Sequence, residues 1–198
     1  MDANRLGYVS ARSAQLQGLE LLPLSLVALL KAAYDAGLFS LPGDHLKNVG
    51  VEWFLVAVVL AVAAAYPIRG WYLKHVGMAP PGIAKSQLWP LLAGVLALPL
   101  GAAIQPAIPF NGPVGLVALL IGAFGIRDYP FRRHYIAAAA VLFAYALHRF
   151  WVPAAAARVA LDLSIAAALA IVGIGDHRLL VSTVPPVNVN EPEVAAHV

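Results

Sequence analysis

Lys31 and Asp35, and again Arg158 and Asp162, are a base and an acid four residues apart within stretches that are otherwise apolar. On a helix that spacing puts both groups on one face, so each pair can neutralise itself where water is scarce. Glu52 stands at the head of another apolar stretch, and His148 and Arg149 close a third. A charge at mid-bilayer costs roughly 2.5–3.5 kcal/mol even on the lenient insertion scale, which turns such residues toward a bundle interior or water. The cations Lys31, Arg149 and Arg158 match the anions Asp35, Glu52 and Asp162 in number, so the set can close without net charge. These residues predict a polar pocket that takes a small solute or relays a proton, with Asp162 as the deepest acid and Arg158 as its tuner. The plainer expectation is that each pair is satisfied within its own helix while Lys31 and Arg158 snorkel outward. Cation before anion is the weaker order for such a pair, which leaves room for a role beyond self-pairing.

Other chemistry has little to stand on. There is no cysteine, which removes disulfides, thiolate catalysis and cysteine metal sites together. No HExxH, GxSxG or GxxxxGK pattern occurs, nor a paired-aspartate signature, so neither an enzyme class nor a cofactor is implied. His75, His134 and His177 would make a metal site only if three hairpins packed around a threefold axis. Otherwise they are interfacial residues among bases.

The elements that position these groups are membrane helices. The chain is 61% hydrophobic and 12% charged, against about a quarter charged in ordinary soluble domains. Periodicity and breakers predict an all-α polytopic membrane protein, a bundle of about six transmembrane helices near residues 18–38, 51–71, 88–108, 114–126, 135–151 and 154–175. The last of these spans 22 residues, slightly longer than a roughly 30 Å hydrocarbon core requires. Pro90, Pro99 and Pro106 predict a bend in the third, and Pro153 a start for the sixth. Residues 1–17 are expected to form a cytoplasmic or interfacial segment, 18–180 the membrane domain and 181–198 a polar tail. The leader lacks the order of a signal peptide, so the first span is expected to act as an uncleaved insertion signal.

Orientation follows from the bases. Arg5, Arg12, Arg69, Lys74, Lys85, Arg127, Arg132, Arg133 and Arg178 fall on one side of a six-span arrangement, while Lys47, Arg149 and Arg158 fall on the other. That bias places both termini in the cytoplasm of a plasma or inner membrane, with a bacterial membrane inferred from the absence of targeting features. The net charge of +3 is read as topology, so no nucleic-acid partner is expected.

IRGWYLKH from Ile68, IRDYPFRRH from Ile126 and GIGDHRLL from Gly173 each close a span running toward the basic side, a spacing compatible with three helical hairpins. The closing DHRLL resembles the end of some small six-span bacterial inner-membrane proteins of uncharacterised role, a likeness that brings no activity or site with it. Small residues complete the pattern: Gly94 and Gly101, Gly115, Gly122 and Gly125, and alanine runs such as 137–140 and 166–168 let helix backbones approach closely. Together these features point first to a structural or accessory subunit of a membrane assembly, surrounded by lipid and by other subunits or copies of itself. A small-solute or proton-coupled transporter using the charged pocket is the alternative.

Overall fold

The structure is a computed structural model that describes residue 9 and residues 18–41, 49–76, 85–150, 152–153 and 156–184. All regular structure among them is helical. The α-helices are α1 (Leu22–Asp35), α2 (Val49–Val76), α3 (Lys85–Ile104), α4 (Gly112–Arg127), α5 (Arg133–Ala146) and α6 (Ala157–Val181), and short 3-10 turns occupy Gly18–Leu21, Gln105–Ala107 and His148–Phe150. Two segments, Glu52–Tyr72 and Ala157–Val181, are long and apolar enough to cross a membrane, whereas Leu96–Ala107 and Gly112–Arg127 are apolar but shorter. Helices α1 and α5 have 14 residues each, about 21 Å of rise.

Local chemistry sets the ends. Pro23 occupies the first turn of α1, just past the 3-10 turn Gly18–Leu21 that leads into it, where its missing N–H is little loss. At the other end Leu38 N–H reaches the Ala33 carbonyl and Gly37 N–H that of Tyr34, a turn closed by Gly37 at φ 73°, a conformation that glycine adopts without strain. Asn111 caps α4 by accepting from Val114 N–H at 3.3 Å, while Gln105 donates to the Phe110 carbonyl at 2.8 Å and accepts from Gly112 N–H at 2.6 Å. Pro106 thus ends α3 in a 3-10 turn instead of bending a longer helix. Pro153 does not open the last helix, because α6 begins at Ala157 after a turn in which Ala156 N–H bonds the Pro153 carbonyl. Similarly, α5 stops at Ala146 and yields to the 3-10 turn of His148–Phe150.

Packing joins the helices into a row in the order α3, α4, α5, α6, α1, α2, each antiparallel to its neighbour. Consecutive helices α2 and α3 are therefore its two ends, and among the described residues the hairpins do not close into a threefold ring. The α4–α5–α6 core is built from small residues: Ala118, Ala138, Leu142 and Ala168 are buried, with Val114, Val117, Ile121, Ile171 and Val172 around them. Gly122 lies against Ala139, and Gly125 against Ile136 and Tyr135, so these glycines are spent on packing within the chain. A second core joins Tyr72, Leu179 and Leu180 to Val9. Val9 is buried against protein, while the rest of the predicted 1–17 segment, the tail from 185 onward, Lys47 and Trp151 lie outside the described residues.

A close backbone approach joins the 3-10 turn before α1 to α6. The backbones of Gly18 and Gly173 touch so nearly that a Cβ on Gly173 would stand 2.7 Å from the Gly18 carbonyl oxygen. Gly173→Val is expected to cost about 1–3 kcal/mol by overpacking, read as an earlier unfolding midpoint in detergent. Gly70→Val, where a side chain meets open space, should leave the midpoint nearly unchanged, and equal effects of both would contradict this interface.

Candidate functional site

Helices α1 and α6 carry a polar layer at each end of their contact. In the first, Lys31 Nζ donates to Asp35 Oδ2 at 2.8 Å and to Asp162 Oδ2 at 3.1 Å. The first partner lies one turn along α1, and the second is supplied by α6. Asp162 is 7% exposed, and the Lys31 side chain 40%, so the ammonium opens to the surface while the acid is enclosed. From α2, the Phe54 ring sits 5.8 Å from Lys31 Nζ, and it packs on Tyr34 at 5.5 Å. Tyr145 of α5 is buried within electrostatic reach of Asp162. One turn deeper, Ser25 Oγ donates to the Ala166 carbonyl at 2.9 Å, which fixes the register of α1 on α6.

This geometry gathers some of the predicted pocket and disperses the rest. Lys31, Asp35 and Asp162 meet. Arg158 does not pair with Asp162: it is exposed in the first turn of α6, and the acid's ion pair is with Lys31 instead. The physical reason is reach, since packing brings the ammonium to the buried carboxylate from a neighbouring helix, whereas Arg158 at the helix start extends into open surroundings. Glu52 is exposed in the first turn of α2, two residues before Phe54. His148 turns back onto its own helix, its Nδ1 3.0 Å from the Tyr145 carbonyl and its ring stacked on Tyr145 at 4.6 Å. Arg149 belongs to the same 3-10 turn, and its side chain lies outside the described residues.

The second layer, which sequence reading assigned only to a membrane boundary, is richer. Asp176 is 1% exposed. It accepts from His134 Nε2 at 2.8 Å and from the Tyr135 hydroxyl at 2.9 Å, so two donors from α5 satisfy a carboxylate that would otherwise be stranded. On the other side of α6 the Tyr72 hydroxyl lies 2.8 Å from His177 Nδ1 and accepts from Leu19 N–H at 3.4 Å. Arg69 binds Glu20 through two parallel bonds, 3.1 and 3.0 Å, a fork that ties α2 to the turn before α1. Trp71 carries His75 stacked at 4.8 Å, with His177 at 6.2 Å. The three histidines therefore take separate partners, and among the described residues no group of three or more His, Cys, Asp or Glu is placed to hold a metal. The available signal was the recurrence of a glycine or base beside a histidine in IRGWYLKH, IRDYPFRRH and GIGDHRLL, which carries no information on pairing.

The chain matches no family model, no curated protein and no solved structure. What the two layers can do is therefore argued from their own geometry. The first layer holds one ammonium between two carboxylates, an arrangement able to bind or pass a cation. The second is a set of closed hydrogen bonds able to lock helix ends together.

If Asp162 depends on Lys31 and not on Arg158, Lys31→Met should destabilise the fold in detergent by about 2 kcal/mol. That is less than the roughly 3–5 kcal/mol of a wholly buried pair, because Lys31 is partly exposed. Arg158→Met should change the melting midpoint little, and the reverse ranking would restore the pairing within α6.

Proposed function

We propose that the chain is a multi-pass membrane protein whose Lys31, Asp35 and Asp162 form the cation-binding site of a small proton-coupled carrier. The observation that carries this reading is the imbalance of the cluster: one ammonium faces two carboxylates, and the deeper acid belongs to a different helix from the base. With both acids ionised the site holds one negative charge in surroundings where charge is costly. A proton or a monovalent cation cancels it. Because Asp162 is enclosed while Lys31 opens outward, a proton arriving from that side meets Lys31 and Asp35 first and Asp162 next.

Six crossings are part of the same proposal. Gly18–Leu21 together with α1 form one continuous helical rod of span length, and α3 with its 3-10 turn forms another. The shorter α4 and α5 cross where the bilayer thins around the bundle. The basic residues Arg69, Lys74, Arg127, Arg133 and Arg178 gather toward the end that holds Asp176, which supports placing that end in the cytoplasm and the Lys31 cluster in the outer third. Along α6, 14 residues separate Asp162 from Asp176, about 21 Å of rise.

A second reading, an accessory subunit of a membrane assembly, is favoured by α2. Only 6% of its Glu52–Tyr72 window is buried, and Leu55, Val56, Val59, Leu60 and Val62 all face outward. The polar and aromatic contacts of this helix sit at its two ends, so its middle is free to meet lipid or another chain.

Proteoliposomes separate the two. Under an imposed potential the wild-type chain should discharge a proton gradient, and Asp162→Asn should slow this at least about ten-fold while inserting normally, as expected when an intramembrane acid is the carrier. Equal rates for the two proteins would discard the carrier role, and a silent wild type would leave the accessory role standing.

A further inference from the structure

At the Asp176 end, α6 and the start of α5 enclose a cleft of about 740 Å³, within the roughly 300–1,000 Å³ of small-ligand sites. Its charged lining is cationic. Arg133 and Arg178 stand on it from different helices, with His134 and Ser182 also on the lining. Both arginines are exposed, and among the described residues neither forms an ion pair. The nearby acids are already engaged: Asp176 is held by His134 and Tyr135, and Asp128 by Arg127 at 3.1 Å and Arg132 at 3.7 Å. The other wall is apolar and runs along α6 through Ile171, Ile174 and Leu179, toward the middle of the helix.

A cationic mouth continuous with an apolar trough matches a molecule that is anionic at one end and hydrocarbon at the other. We propose that this cleft binds an anionic phospholipid, its phosphate between Arg133 and Arg178 and one acyl chain along Ile171 and Ile174. Arginine suits the role because its planar fork bonds two phosphate oxygens at once. Basic pockets between helices at the cytoplasmic face are a recurrent means of holding such headgroups. The site is distinct from the Lys31 cluster and rests only on the membrane part of the function proposed above. A lipid seated there would bridge α5 to α6 beside the His134–Asp176 bond, fastening the two helices where the chain from α4 enters α5.

The test uses the full chain reconstituted with equal amounts of phosphatidylglycerol and phosphatidylcholine, gently extracted and weighed by native mass spectrometry. Phosphatidylglycerol should be retained roughly twenty-five-fold over phosphatidylcholine, the product of about five-fold for each arginine near an anionic surface. The double variant Arg133→Gln, Arg178→Gln should bring that ratio close to one. Lys74→Gln, an exposed charge at the same end but outside the cleft, should leave it intact. Equal retention of the two lipids, or an equal loss in Lys74→Gln, overturns the proposal. Displacement by inorganic phosphate would assign the site to a free anion and overturn the lipid. Carbonate washing of membranes distinguishes the failures: a chain that is released fails the membrane reading as well, and one that stays but ignores headgroup charge fails this proposal alone.

Discussion

Lys31 and Asp162 lie 131 positions apart in the chain and 3.1 Å apart in space. Their bond is possible because α1 returns to lie antiparallel along α6. Glycine meets glycine at one end of that contact, Ser25 bonds the Ala166 carbonyl in the middle, and the ammonium reaches its second acid beyond it. Small residues are what let the two backbones come this near, and nearness is what makes the ion pair. A carboxylate enclosed among apolar helices with no base at hand would cost more than the helix contact returns. Packing and charge therefore depend on each other here.

The same interface organises the ends of the row. Because α6 sits between α5 and α1, its final turns can offer Asp176 to His134 of α5 and, on the other side, His177 to Tyr72 of α2. Adjacent residues on a helix point about 100° apart, so a single Asp-His step serves two partners. Helix α2 is fastened at its ends by Arg69 to Glu20 and by Phe54 to Tyr34, which leaves its long apolar middle outside. The result is a polar clamp at each end with an apolar zone between.

Much of this was legible in the chain, and the remainder was hidden for definite reasons. Helix positions followed from apolar runs punctuated by Pro, Gly and Asn, and the helix ends at Pro23, Gly37 and Asn111 trace to residues whose backbone chemistry is local. Lys31, Asp35 and Asp162 stood out because charge is rare among such neighbours. Arg158 misled, since spacing four residues apart specifies a shared face but not which of two bases an acid will meet, and the answer came from a helix distant in sequence. Asp176 was overlooked for the opposite reason. Set beside His177 and Arg178 at the end of an apolar run, it looked like a boundary residue, and only the approach of α5 makes it the most enclosed acid described. The order of helices in the row, like the gap between α2 and α3, is a property of long-range packing that no local pattern encodes.

The central claim is that α1 and α6 are neighbours within one molecule. The chain has no cysteine of its own, so a pair introduced at Ser25 and Ala166 reports on this contact alone. Oxidation in native membranes should join the two positions within a single chain, seen as a faster-migrating monomer that reverts on reduction, while a pair at Ser25 and Leu119 stays open. Failure of the Ser25 and Ala166 pair to close, or closure only between separate chains, would contradict the account.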